Sequence, residues 1–276
     1  MSLPVVCGTV TLSDRRVHYR TVPAPADRPL LLMLHQSPLS SRRYRLLLPL
    51  LADLVRPVAV DTPGFGESDP PAPHWTVADY AGVVTELVDR FGAGRAILFG
   101  RATGAVFALH AAATRPERFR ALVLHGMPVY TDEEKADRLA GFAPPYQLDA
   151  DGGHLDWIWR RIRGEYPWAP PELVTELVRD YLAAGPDFAI GYRRIWQYDV
   201  NPAARALSVP TLLIGGGADR IRQMHERATA LLPDARVEYL PDATDFVAEQ
   251  RPEAFAAVLR RFLGPHLGEP SVAPRG

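Results

Sequence analysis

The chain of 276 residues has one cysteine, Cys7. A lone thiol excludes an internal disulfide and any multi-cysteine metal site. Lysine is almost as scarce: Lys135 is the only one among 31 basic residues. Together with 27 prolines this reads as the compositional bias of a GC-rich genome, not as an arginine recognition surface. The net charge of −1 argues against nucleic acid or an anionic membrane as partner. No run approaches the ~20 apolar residues of a membrane span, and no charged segment followed by an apolar one suggests a secretory leader. Gly64-Phe65-Gly66 lacks the third glycine and the helix start of a dinucleotide loop. No His/Asp/Glu cluster has metal-ligand spacing. These absences imply a cytoplasmic protein, a monomer or a homodimer, that needs no cofactor or metal and whose partner is a small molecule.

What is present is an ordinary apolar content of 47% in a chain long enough for one large core with an inserted segment. Val5–Val10 and Arg16–Val22 alternate around Leu12-Ser13-Asp14, as a hairpin does. Leu30–Leu34, Val58–Val60, Ala96–Phe99, Ala121–Leu124, Pro210–Gly215 and Arg236–Leu240 are short apolar runs, as in strands buried on both faces. Between them lie helical patterns: Ser41–Leu54, with Pro49 as a possible break, Val77–Phe91 behind Thr76, Gly104–Ala113, Arg222–Leu232 and Pro252–Leu263. The alternation stops after Tyr130. Residues 131–206 hold only helical patterns, at Asp132–Leu139, Leu155–Arg163, Glu172–Ala183 and Ala189–Gln197. Alternating strands and helices imply an α/β protein with a mostly parallel sheet flanked by helices. The expected division is therefore 1–130 and 207–276 as the α/β core, with 131–206 as a helical cap over the strand C-termini. The tail Gly264–Gly276 is expected to be loose.

One strand–turn–helix junction carries the chemistry. Gly100-Arg101-Ala102-Thr103-Gly104 joins Ala96–Phe99 to an apolar helix, the setting of the G-x-S-x-G nucleophile elbow. Four further segments stand at matching places: Leu34-His35-Gln36-Ser37-Pro38, Asp61-Thr62-Pro63-Gly64-Phe65-Gly66-Glu67-Ser68, Gly215-Gly216-Gly217-Ala218-Asp219, and Leu240–Phe246 before Arg251-Pro252-Glu253-Ala254-Phe255. Together they resemble the α/β-hydrolase superfamily of the type with a helical cap. The resemblance covers nearly the whole chain and implies that fold. It also implies an oxyanion hole from the Thr103 amide and the Gln36–Ser37 backbone, with Asp219 as the acid. The chain departs from the pattern twice: Ala102 stands at the nucleophile position and Asp245 at the histidine position. A methyl group cannot attack a carbonyl, and an aspartate of pKa ~3.9 is a weak base for a hydroxyl.

The candidate catalytic residues are thus Asp219, Asp245 and His35, with Arg101, His125, Trp157, Trp196 and Tyr198 as substrate contacts. Two carboxylates in one dry cleft share a proton unless an arginine such as Arg101, Arg220 or Arg222 neutralises them. The ion pair is the favoured alternative. Three functions fit. The first is a non-hydrolytic lyase, isomerase or cyclase acting on an apolar carbonyl compound, with specialised metabolism as a setting. The second is a non-catalytic ligand binder or degenerate paralogue. The third is a hydrolase whose serine was replaced by Ala102 for study, which accounts for Ala102 but not for Asp245.

Overall fold

The structure is a computed structural model that describes residues 3–267. The part of the expected loose tail from 268 onward lies outside the described residues. The alternating segments form β1 (Val6–Thr11) and β2 (Arg16–Thr21), an antiparallel hairpin in the register Val6–Thr21 to Thr11–Arg16. The continuous apolar runs form β3 (Leu30–Leu34), β4 (Arg56–Val60), β5 (Ala96–Arg101), β6 (Phe119–His125), β7 (Thr211–Gly216) and β8 (Arg236–Leu240). β2 pairs antiparallel with β4, neighbours among β3–β8 are parallel, and the sheet of eight strands has the order β1-β2-β4-β3-β5-β6-β7-β8.

Burial on both faces follows from the period of two. Leu30, Leu32 and Leu34 enter one core, while Leu31 and Met33 enter the other. The first core is closed by α1 (Val77–Arg90) and α2 (Thr103–Thr114). At the start of α1 the Asp79 carboxylate accepts the Thr76 amide at 2.7 Å, one half of a capping box.

After β6 the chain builds α3 (Asp132–Gly141), α4 (Gly153–Glu165), α5 (Pro171–Ala184), α6 (Ile190–Trp196) and α7 (Asn201–Ala206), with no strand among these described residues. It then returns to β7, α8 (Arg222–Leu231), β8, the short α9 (Val247–Gln250) and α10 (Pro252–Leu263), which closes the second core.

One expected helix is absent. Ser41–Leu54 forms two short 3-10 turns, Ser41–Tyr44 and Leu48–Leu50. Pro49 has no N–H to donate and its ring crowds the carbonyl four residues back, so a continuous α-helix cannot pass through it. The turns still bury Tyr44, Leu47, Leu48 and Leu51, which is the apolar face that suggested a helix.

Candidate active site

The site begins with the turn between β5 and α2. Ala102 has φ 46° and ψ −110°, a conformation that costs energy for any residue with a Cβ. Two glycines permit it. A Cβ on Gly100 would lie 2.3 Å from the Gly104 carbonyl oxygen, and one on Gly104 would lie 2.7 Å from those of Leu34 and His35. The Ala102 amide donates to the His125 carbonyl at 3.0 Å, tying the turn to β6. The amide of Thr103, the first residue of α2, has no acceptor among the described residues; nor does that of Gln36 on the facing loop. Both residues line a cavity of about 110 Å³. Two donors at a helix N-terminus, where the helix dipole adds positive potential, can bind an oxyanion. The Ser37 amide is engaged instead, with the Thr103 hydroxyl at 3.4 Å.

The loop that carries Gln36 is held from below. His35 presents Nδ1 to the Gln36 carbonyl at 2.9 Å, and its Nε2 accepts the Thr62 amide at 3.0 Å. Asp61, fully buried at the end of β4, accepts the Ser41 amide at 2.7 Å and the Glu67 amide at 3.0 Å. Burial opposes its ionisation, yet hydrogen bonds from His18, Ser41 and Glu67 hold the carboxyl well below the usual range. Gly66, at φ 57°, lets the backbone pass where a Cβ would collide with the Asp61 carboxylate.

Two loops deliver the aspartates. The Ala218 amide donates to the Ala243 carbonyl at 2.9 Å, and Gly216 lies where any side chain would strike that same carbonyl. This stitch brings Asp219, after β7, beside Asp245, after β8. Between them stands Arg101. Its Nη2 is 3.0 Å from Asp219 Oδ2 and 3.8 Å from Asp245 Oδ2. Its Nη1 donates to the Gly126 carbonyl at 3.3 Å. Gly126, at φ 54°, has no room for a side chain because the guanidinium occupies it. Arg220 adds a second clamp on Asp245, through its amide to Oδ1 (3.0 Å) and its Nε to Oδ2 (3.1 Å). The ion-pair alternative is therefore the geometry found.

Burial pushes the Asp219 carboxyl up; Arg101 opposes that, and the Asp245 charge adds to it. For Asp245 burial acts in the same sense, but Arg101 and Arg220 outweigh it and hold its carboxyl below the ordinary range. Of the pair, Asp219 keeps a proton longer and Asp245 stays ionised.

The sequence-derived candidates separate into two groups. Gln36, Ser37, Arg101, Ala102, Thr103, Asp245 and Trp196 line the cavity, and Asp219 lies behind Arg101. Besides Asp219, four residues do not line it. His35 has both ring nitrogens engaged in holding the loop, and burial lowers its pKa, so it is a neutral strut. His125 is buried below the turn against Phe99 and Phe255. Trp157 packs inside the helical segment against Tyr146 and Phe188. Tyr198 is turned away to His110, 2.8 Å from its Nδ1. Tyr166 and Tyr192 line it as well, and so do residues that were not singled out, among them Arg138, Phe142 and Tyr130. Tyr166, Tyr192, Arg138 and Phe142 lie in or just after the helices between β6 and β7. Their amphipathic patterns give no sign of which face meets the strand ends. Tyr192 reaches furthest, its hydroxyl donating to the Ser37 carbonyl at 2.5 Å.

The fold, the strained turn and the paired loops define a class. The chain belongs to the alpha/beta hydrolase family, whose model matches residues 31–258. It is similar to 2-(acetamidomethylene)succinate hydrolase of Mesorhizobium japonicum, 27% identical with 95% of each chain covered. It is 30% identical to haloalkane dehalogenase 2 of Mycobacterium bovis, with 91% of this chain and 92% of that one covered. Among solved structures, a hydrolase from Pseudomonas aeruginosa PA01 superposes with a TM-score of 0.77 at 23% identity, covering 94% of this chain and 98% of that one. No described helix is long and apolar enough to cross a membrane, and no group of metal-ligating side chains is found among the described residues.

Proposed function

We propose that this member of the family acts on a small carbonyl compound without forming an acyl-enzyme. The reaction is an enolisation, as the core of a lyase, isomerase or cyclase step. One observation carries the reading. The elbow keeps its strained geometry and two unpaired amides, yet Ala102 offers no atom to be acylated, and Asp245 stands in place of the family's histidine. In this reading the triad is degenerate. A substrate carbonyl oxygen sits on the Thr103 and Gln36 amides. The α-carbon–hydrogen bond breaks, its proton passes to the Asp245 carboxylate, its electron pair forms the carbon–carbon double bond, and the carbonyl π pair moves to the oxygen as an enolate. Return of the proton to carbon completes the turnover. The aromatic walls, Trp196 stacked on Tyr192 with ring centroids 5.4 Å apart, favour an apolar body. We take residues 131–206 as the cap that supplies these walls.

A second reading is a protein that binds such a compound and leaves it unchanged. The clamp of Arg101 and Arg220 on Asp245 favours it, because a carboxylate held at low pKa is a weak base. The two readings separate in deuterium oxide with 4-oxopentanoate, an eight-heavy-atom ketone scaled to the cavity. Catalysis predicts protein-dependent loss of the α-proton signals by NMR. Asp245→Asn should slow that loss by ~10²-fold or more. Binding without exchange selects the second reading. Stoichiometric labelling by a fluorophosphonate would overturn both.

A further inference from the structure

Three arginines line the cavity, and two of them are occupied. Arg101 is spent on Asp219, Asp245 and the Gly126 carbonyl. Arg220 is spent on Asp245, the Tyr166 hydroxyl at 2.7 Å and Glu165 at 3.5 Å. Arg138 is different. Its guanidinium has no hydrogen-bond or ion-pair partner among the described residues, although it lines the same cavity. The natural partner four residues back on α3 is Glu134, the usual spacing of a helical ion pair. That carboxylate is already held by both terminal nitrogens of Arg227, at 2.6 Å each. Arg138 instead lies over two aromatic faces, 4.4 Å from the ring centre of Phe142 and 5.0 Å from that of Tyr130. Stacking fixes the plane of a guanidinium while leaving its edge N–H donors open.

We propose that Arg138 is the recognition residue for a carboxylate on the substrate, so that the compound taken by this cavity is an oxo acid and not a neutral ketone. This rests on the reading that the Thr103 and Gln36 amides hold a carbonyl oxygen. It adds the second anchor, at the helical wall of the cavity. The fork of Arg138 matches the two oxygens of a carboxylate, a geometry that a lysine does not reproduce. Asp245, the acidic residue on the wall, is neutralised by its own arginines, so it leaves the attraction of Arg138 for an anion in place.

The test uses the full chain and four probes followed by NMR titration: 4-oxopentanoate, its methyl ester, pentanoate and 2-pentanone. Wild type should bind 4-oxopentanoate at least tenfold more tightly than the methyl ester. Arg138→Gln should lose roughly tenfold or more for 4-oxopentanoate, the scale of one charged hydrogen-bonded contact. The same variant should bind the methyl ester as wild type does, which also reports that its fold is intact. Arg138→Lys should fall between the two. Equal affinities of acid and ester in wild type, or an equal loss of both in Arg138→Gln, would overturn the assignment of Arg138 while leaving the carbonyl site standing. Pentanoate binding as tightly as 4-oxopentanoate, with the same dependence on Arg138, would keep this assignment and refute the carbonyl site. Failure of all four probes to bind would refute both.

Discussion

A single arginine decides what the two aspartates can do. Arg101 is buried by Gly126 and holds Asp219 and Asp245 at once. Without it, two carboxylates in a dry site could not both ionise. With it, Asp245 stays a carboxylate and Asp219 carries the raised pKa. This bears on any attempt to rebuild a hydrolase. A serine at position 102 would occupy the strained turn, but it needs a base to take its proton. Asp245, held below its ordinary range, is a poor one. Ala102→Ser is therefore expected to show no burst of product from an activated ester and no fluorophosphonate label. Activity should appear only when Asp245→His is added. A burst from the single variant would show that the clamp on Asp245 does not limit its basicity.

At the scale of elements, the turn at Ser41–Tyr44, α5 and α9 meet in a buried charge cluster. Arg43 lies 3.1 Å from Glu176, 3.4 Å from Asp180 and 3.2 Å from Glu249. Glu176 is also approached by Arg42 and Arg45 at 4.0 Å, whereas the more deeply placed Asp180 and Glu249 share Arg43, so the two do not both ionise cheaply. Burial raises Glu249 from its ordinary 4.5 to about 7; Arg43 and Arg45 oppose this, and Asp180 adds to it. The sign follows from proton linkage. Between pH 4.5 and about 7 the folded state binds the Glu249 proton more tightly than the unfolded state. Its contribution to stability therefore falls as pH rises through that window and is flat above it. Glu249→Gln keeps the shape and removes the titration. The variant should gain on the order of 2 kcal/mol relative to wild type between pH 5 and pH 8. Urea unfolding at the two pH values measures this. A constant difference between the proteins would show that Glu249 does not titrate there.

Over the whole molecule, stability should be graded from sheet to helical segment. Every residue of β3 and β5 is buried, whereas α3 buries none of its own. Amides open most easily where few apolar contacts hold them. Hydrogen exchange followed by mass spectrometry should find peptides of β3, β5 and β6 slowest and those of α3 among the fastest. Equal protection would mean that α3 is held by something other than its apolar face.

Local pattern made much of this fold legible. Runs such as Leu30–Leu34 admit only a strand buried on both sides, and Gly100 and Gly104 mark a turn where backbones touch. The helical character of residues 131–206 was equally readable, since helical periodicity needs only local sequence. The identities of Ala102 and Asp245 at their positions needed no coordinates. Other features were decided by contacts between residues far apart in the chain. Arg101 lies 118 positions from Asp219, and only the pairing of β5 with β6 and of β6 with β7 brings them together. His35 and Arg138 exchanged importance for the same reason. A side chain's chemistry depends on which partners reach it: His35 is fully engaged in the loop below the site, and Arg138, at its wall, has no hydrogen-bond or ion-pair partner among the described residues.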